Sequence, residues 1–600
     1  MPSLTSSLNM AVRSMQVNQT NLSTLSHNIS NANTAGYTRQ EVIQGSTAIA
    51  GFGSGVDITT IRRTVDSVLQ NNLVDQTSDL AYNSTIYSGL KNAEVLFSQP
   101  GNANGIESLL GNFFNEISNL ANYPDSSSQR IGVVTDGQFI VDSINQIQQG
   151  LESLQMQVDQ QIKDELNSLN EALKNVADLN MQIVAIGSNN INGANANDLI
   201  DERERTIEFI AEYIPLNVTY SEEGRARLTS ESGRTLVDYN ATQIEETPFD
   251  PPQSFSDLGV RPTLSSGIPS TQIFPLEMDS TRITSGRLKA LVDLRDNEMP
   301  ELMAEMDEFA ATLITEFNAI HSQGTGVPPV DTFTSGNGDL LSGAGADLVT
   351  ELGLQAGSTF NLSVVDADGN MVSTTLLAGG GTGGMNLGAG PISYADIANA
   401  INTNPDISGT VTASIIVDTD GNPQLEIQET SGNYIVMADE TGNMLSAVGM
   451  NNFFTGRDAS TIAIRSDITT TPELVASARM RESDGGLSLY DNRNAIAMTE
   501  LASTDLSFNA AGDIGATTTT LTGYFNDING TLAVELKNAN DRQEFVQKVY
   551  SDISERIANT SGVNMDEELA NMIIFQNAFQ ASARIITTID ELYDSLLAMV

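Results

Sequence analysis

The chain has 600 residues, 28 of them basic and 76 acidic, for a net charge of −48 at pH 7. Such a surface repels polyanions and anionic lipid, which excludes nucleic acid and membrane insertion as main partnerships. Cysteine is absent, so disulfides and thiolate metal sites are excluded, and no apolar run approaches the roughly 18 residues of a membrane span.

The acidic excess is spread thinly, as on a solvated surface, with no long acidic run. The length suggests about four domains. The first segment carries a heptad: Leu8, Met15, Leu22 and Ile29 recur every seven residues, beside a row of Leu4, Ala11, Leu25 and the polar Asn18. A stripe of this kind asks for a partner helix, because it cannot be left in water. The turn formers of Asn31-Ala-Asn-Thr-Ala-Gly-Tyr37 end the helix. Residues 51–55, punctuated by glycine, read as a loop leading into a β-prone stretch at 56–63.

The chain then becomes strongly helical. Ile106, Leu110, Phe113, Ile117 and Leu120 mark one amphipathic helix. A longer stripe runs from Ile140 through Leu151, Val158, Ile162, Leu166 and Leu173 to Ile186, with consecutive steps of four at 158–162–166, the mark of a stutter. A single helix of that span would be roughly 70 Å long. A glycine- and asparagine-rich loop follows at 188–197, then a shorter helix to about Ile214. Strands are expected at 216–220 and 226–237, and a Pro- and Ser-rich connecting loop at 247–275. Leu302, Met306, Phe309, Leu313, Phe317 and Ile320 mark the next helix.

From 325 to 469 glycine, threonine and aspartate rise, and strands are expected at 359–365, 411–417 and 424–428, with a short helix near 394–401. Helices return at 487–501 and 521–557. Thr560-Ser-Gly breaks the last of these, and Asn564 with Glu567 forms a capping-box-like start to the final helix. That helix keeps a second heptad: Met565, Met572, Phe579, Ile586 and Tyr593, beside Phe575, Ile589 and Leu596.

The expected fold is α+β and multidomain, with discontinuous, nested domains. Residues 1–60 and 560–600 form a terminal coiled-coil assembly domain. Residues 61–324 and 470–559 form a long helical-bundle body with small β elements, and residues 325–469 form an inserted, β-rich, outward-facing domain or pair of domains. The assembly seam is assigned to Leu8, Met15, Leu22 and Ile29 against Met572, Phe579, Ile586 and Tyr593.

Chemistry is not assigned: no catalytic, cofactor-binding or metal-ligating residue emerges, and no cofactor. The two histidines, His27 and His321, lack metal-ligand spacing and read as polar helix residues. Asp366-Ala-Asp-Gly369 and Asp418-Thr-Asp-Gly421 lack the further ligands of a calcium loop and read as hairpin turns. The glycines of 51–55 and 379–384 are not followed by a helix that could bind phosphate. No Gly-x-Ser-x-Gly elbow accompanies a histidine.

Ser26-His-Asn-Ile-Ser-Asn-Ala-Asn-Thr-Ala-Gly-Tyr-Thr-Arg-Gln40 resembles the N-terminal signature of the bacterial flagellar axial proteins, the rod, hook and hook-associated proteins. Asn28, Asn31, Asn33, Thr34, Gly36 and Tyr37 fall on its pattern, with Ala35 where proline is often found. Gly562-Val-Asn-Met-Asp-Glu-Glu-Leu-Ala-Asn-Met572, Phe575-Gln-Asn-Ala-Phe-Gln-Ala-Ser-Ala-Arg584 and Asp590-Glu-Leu592 resemble the family's C-terminal stretch. The helical block 106–214, Asn197-Asp-Leu-Ile-Asp-Glu-Arg203 and Gly286-Arg-Leu-Lys-Ala-Leu-Val-Asp-Leu-Arg-Asp296 are similar to the hook-associated branch.

The resemblance implies a structural, non-enzymatic junction protein linking hook to filament, assembled as a ring through paired terminal helices. It implies an extracellular place in the flagellum, reached by type III export without a cleaved signal peptide. It implies the flagellar hook protein, a second hook-associated junction protein and an export chaperone at the C-terminal region as partners. The alternatives are a hook or distal-rod protein, or an exported, flagellum-anchored enzyme or adhesin that uses the central insertion.

Overall fold

The computed structural model describes residues 4–49, 52–97, 105–189, 196–248, 255–264, 266–276, 278, 283–336, 341–343, 345–353, 358–378, 385–386, 392–418 and 421–598. In chain order the helices are α1 Leu4–Asn31, α2 Ser67–Phe97, α3 Ile106–Asn122, α4 Ser127–Asn189, α5 Asn197–Tyr213, α6 Arg287–Asp293, α7 Met299–His321, α8 Leu348–Glu351, α9 Tyr394–Thr403, α10 Met444–Val448, α11 Ser466–Thr470, α12 Arg493–Glu500, α13 Leu521–Ser561 and α14 Met565–Ala598. The described residues divide into two compact units, each discontinuous in sequence. Unit 1 is 1–89, 156–295 and 536–600, and unit 2 is 90–155 and 296–535.

In unit 1 the second half of the α4 stripe, Ile162, Leu166, Leu169, Leu173 and Val176, buries against Ile207 and Ile210 of α5 and against two three-stranded antiparallel sheets. The first sheet, Leu216–Tyr220, Ala226–Ser230 and Thr235–Val237, follows the alternation in the sequence. The second pairs Gln243–Glu246 with Leu258–Arg261 and Phe274–Pro275, so the expected 247–275 loop contains two strands. They are short and flanked by proline, too brief for a period-two pattern to stand out. A long antiparallel hairpin joins Gln40–Ile49 to Phe52–Arg63. The β structure starts at Phe52, so the glycines at 53 and 55 lie inside a strand that bulges there instead of in a loop.

The α4 stutter also has a physical outcome in unit 1. The buried position shifts onto Asp159, which binds the buried Arg295 at 2.9 Å and Lys163 at 2.6 Å. Where the heptad slips by one, a carboxylate occupies the stripe and is paired, as a buried charge must be.

Unit 2 has two centres. In the first, Phe113 of α3, Phe317 of α7, Phe453 and Phe454 are fully buried, with ring centroids 4.8–6.2 Å apart. His321 closes that cluster: its Nδ1 donates to Asn451 O (2.7 Å), and its Nε2 accepts the Ala476 N–H (3.0 Å). Burial lowers its pKa to about 4. This histidine is a core clasp, where its sequence position suggested an ordinary polar helix residue. In the second centre, a four-stranded sheet containing Thr359–Val365 and a three-stranded sheet containing Val411–Val417 enclose Phe360, Leu362, Tyr394, Ile397, Ile401, Leu425 and Met437.

Asp366 accepts from the Asp368 and Asn370 N–H groups and turns Thr359–Val365 into Met371–Ala378. The 379–384 glycines lie outside the described residues, as do the two central residues of the Asp418 to Gly421 turn, whose Gly421 N–H donates to Asp418 O (3.2 Å). The helix expected from 487 begins at Arg493, and the Leu487 N–H instead donates to Gly369 O (2.8 Å).

One local device recurs in both units. Asparagine side chains on helices grip both the N–H and the C=O of a single strand residue that no neighbouring strand pairs there: Asn170 on Ile244, Asn180 on Ala226, Asn318 on Phe454 and Asn402 on Ala413. A primary amide presents the same donor and acceptor as a neighbouring strand, so each satisfies backbone groups that would otherwise be orphaned on burial.

Candidate assembly site at the chain ends

The fifth such asparagine lies in the N-terminal motif. Asn28, fully buried near the end of α1, donates from Nδ2 to Gln40 O and to Glu568 Oε2, both at 2.9 Å. Its Oδ1 accepts the Gln40 N–H (3.1 Å) and the Tyr37 hydroxyl (2.7 Å). These four bonds exhaust the hydrogen-bonding capacity of a primary amide, so no other side chain would fit the position. The Tyr37 hydroxyl donates to Asn28, and its oxygen accepts from His27 Nδ1 (3.0 Å). Burial first, then Asp198, Asp201 and Glu568, push the Tyr37 pKa well up, which keeps the hydroxyl a donor.

Glu568, in the first turn of α14 and fully buried, accepts from Arg39 Nε at 2.8 Å while Glu567 pairs with Arg39 Nη2 at 3.4 Å. The Arg39 backbone N–H donates to Ser561 O (2.8 Å). The turn after α1 is thereby tied to the junction of α13 and α14. Asn564 caps α14 by accepting the Asp566 and Glu567 N–H groups at 3.0 and 3.3 Å. A second anchor holds the other side of the motif. Asp201 of α5 accepts from Thr38 N (3.0 Å), Thr38 Oγ1 (2.7 Å) and Arg63 (2.7 Å). Burial raises the Asp201 pKa, and the Thr38 bonds and Arg63 offset part of that rise.

The remaining motif residues make the turn. Gly36 adopts φ +71°, in the left-handed region that glycine tolerates. Asn31 donates to His27 O (3.0 Å) and accepts from Thr34 Oγ1 (3.3 Å). Asn33 and Thr34 are exposed. The structure therefore brings Asn28, Asn31, Gly36 and Tyr37 into one network, and leaves Asn33 at the surface.

Between the helices, α1 lies on α14 with Thr5 against Tyr593 (2.8 Å), Ser14 against Ser582 (3.1 Å) and Asn18 donating to Ser582 (3.5 Å). On α1 the fully buried row is Ala11, Val17, Asn18, Asn21, Thr24, Leu25 and Asn28. Leu8, Met15, Leu22 and Ile29, and on α14 Met572, Phe579, Ile586 and Tyr593, are each half-buried. Glu568, Ser582 and Ile589 are the fully buried residues of α14. The outer face of α1 is polar, with Asn9, Gln16, Gln19 and Ser23 exposed. The exposed side of α14 is mixed: Leu569, Ile573, Ile574, Ile585, Leu592, Leu596 and Leu597 are 45–73% exposed, interspersed with exposed Asn577, Arg584, Thr588, Glu591 and Ser595.

Sequence reading missed Asp201, Arg63, the buried role of Glu568 and the exposed apolar residues of α14 outside its heptad. The doublets Ile573-Ile574 and Leu596-Leu597 were the available signal. They make the helix apolar beyond one seam, which a search for a period of seven passes over.

Among the described residues no group of three or more histidines or carboxylates is placed to hold a metal, and no helix is long and apolar enough to cross a membrane. The first helix, the signature turn and the last helix are thus locked together by Asn28, Arg39 and Glu568. Residues 556–599 of the chain match the C-terminal family profile of the flagellar basal body rod FlgEFG proteins. Residues 90–332 match the flagellar hook-associated protein FlgK helical domain.

Over its full length the chain is similar to flagellar hook-associated protein 1 of Escherichia coli strain K12, with 24% identity covering 99% of the chain and 100% of the relative. It is similar to the protein of that name from Bacillus subtilis strain 168, with 22% identity covering 98% of the chain and 97% of the relative. A solved structure titled the flagellar hook junction protein FlgK from Burkholderia pseudomallei covers 81% of the chain and 99% of its own length, at 15% identity and a TM-score of 0.48. The chain is thus a flagellar axial structural protein. Within that class it belongs to the hook-associated protein FlgK family.

Proposed function

We propose that this chain joins the hook to the filament as a ring of copies, with no enzymatic activity. Residues 1–60 and 560–600 act as the assembly domain, and residues 325–469 face outward. The observation that carries the reading is the asymmetry of the terminal pair. Its inner side is closed by the Asn28–Glu568–Arg39 network, yet α14 leaves seven leucines and isoleucines 45–73% exposed, set among polar residues. Large apolar side chains exposed in that number on one helix mark a contact surface.

Leu8, Met15, Leu22 and Ile29 with Met572, Phe579, Ile586 and Tyr593, all half-buried, flank those side chains and would complete their burial against adjacent copies. The flagellar hook protein and a second hook-associated junction protein are the neighbours on either side of such a ring. An export chaperone covering the C-terminal region would shield these α14 side chains before assembly, and export without a cleaved signal peptide would place the chain outside the cell. The match of residues 90–332 to the hook-associated helical domain favours this reading over a hook or distal-rod protein.

Deletion of the gene tests the junction role: hooks without filaments are expected, and attached filaments would refute it. In the full chain, Ile573→Ser with Ile574→Ser should leave the folded subunit intact and abolish its incorporation. Normal incorporation would remove the seam from the account.

A further inference from the structure

The asparagine clasps leave one strand end unguarded. Among the described residues, Val411–Val417 is an outer strand of its three-stranded sheet, paired on one side only with Pro423–Glu429 and without a register shift. Ala413 turns its N–H and C=O away from that partner, since both are taken by Asn402 of α9 at 2.8 and 2.7 Å. Backbone direction repeats every second residue, so Ile415 and Val417 present their N–H and C=O groups outward in the same way. The clasp stops at Ala413. Ile415 and Val417 are 36% and 64% exposed on the face whose other members, Val411 and Ala413, are buried.

Natural edges are blunted by charge, proline or a bulge. This strand, Val-Thr-Ala-Ser-Ile-Ile-Val, has none of the three. An open ladder specifies an extended strand as its occupant. In a chain of net charge −48, most surfaces repel a second copy, whereas this uncharged strand meets its own copy without like charges opposed.

We propose that two copies of the chain associate by antiparallel pairing of this edge about a twofold axis at Ile416. Ile415 of each copy exchanges both backbone hydrogen bonds with Val417 of the other, and the exposed Ile415 and Val417 side chains cover one another. The contact is isologous, separate from the terminal helices, and goes beyond the junction reading. One short strand edge buries less than the roughly 1,200 Å² of a standard interface, so the dimer is transient.

The absence of native cysteine allows a direct test on the full chain. In this register Ile416 faces Ile416 of the second copy across a non-hydrogen-bonded pair, about 4.5 Å between Cα atoms, within the span of a disulfide. Ile416→Cys under mild oxidation should therefore give a disulfide dimer faster than Ser460→Cys, an exposed control. Adding Val417→Lys should abolish that dimer. Ile573→Ser with Ile574→Ser should leave it unchanged, so failure of the terminal seam and failure of this edge read out separately. Cross-linking of Ile416→Cys no faster than the control, or a dimer that survives Val417→Lys, would overturn the proposal.

Discussion

Phe113, Phe317, Phe453 and Phe454 of unit 2 are wholly buried against one another, whereas Ile573, Ile574 and Leu597 of α14 in unit 1 are 60–73% exposed. In the first region the apolar side chains are inside, with a neutral histidine clasping the backbone around them. In the second, the inside of the helix pair mixes the polar Asn18, Asn28, Ser582 and Glu568 with the apolar Ala11, Leu25 and Ile589, and further large apolar residues are left outside. The phenylalanine cluster spends its apolar surface on the stability of one chain. The terminal pair fixes its geometry with hydrogen bonds and keeps apolar surface available for another chain.

The largest effect that would break this contrast belongs to the aromatic cluster. Phe317→Ala should cost about 3–5 kcal/mol, as for large-to-small changes in a closed core, read as a lowered denaturant midpoint for unit 2. A cost near that of a surface substitution would mean the cluster is loosely packed.

Next comes Glu568→Ala, which strands Asn28 and Arg39. With Arg39 partly exposed, a local cost of about 2–4 kcal/mol is expected, seen as faster amide exchange in α1 and in the first turns of α14. Unchanged protection there would show that the network does not hold the ends together.

The third effect concerns pH. Glu305 of α7 is fully buried beside Asp513 and Glu301, its Oε1 accepting the Asp513 N–H (3.1 Å), and burial raises its pKa to about 7. A carboxyl raised in the folded state contributes stability that is complete below its ordinary value near 4.5 and is lost as pH rises through about 7. His321 has the opposite sign: lowered from 6.5 to about 4, it contributes stability above pH 6.5 that is lost as pH falls toward 4. Glu305→Gln should flatten the alkaline side of the stability profile by about 1–3 kcal/mol, leaving the acid side unaltered. An unchanged alkaline slope would show that Glu305 is not the group responsible.

The smallest effect is the most diagnostic. Ile574→Ser should change subunit stability by less than about 0.5 kcal/mol, because the side chain is 60% exposed. A large loss would mean that α14 is already in its final environment.

The helices with long, redundant 3.6-residue stripes were legible, whereas α2, Ser67–Phe97, was not, because its apolar residues keep to no single face. The α4 stripe from Ile140 to Ile186 and the seven-residue steps at both ends reappear as single continuous helices. The Asn-to-Tyr turn and the Asn564 cap were legible for the same reason, since their chemistry is local. The strands at 258–261 and 274–275 were not, because two to four residues carry no readable period. Nor were the asparagine clasps: Asn170, Asn180 and Asn318 look like polar interruptions of an apolar face until the strand they grip is in place. The site shared this split. Its motif residues could be pointed to, but Asp201 and Glu568 lie 163 and 540 residues from the side chains they hold, and only folding brings them together.

The most direct test is hydroxyl-radical footprinting of Ile573, Ile574, Leu592 and Leu597 in the free chain and in isolated flagella. The account predicts strong labelling of all four in the free chain and its loss on assembly, with Asn33 and Thr34 serving as internal surface references. Equal labelling of the four α14 residues in both states would contradict it.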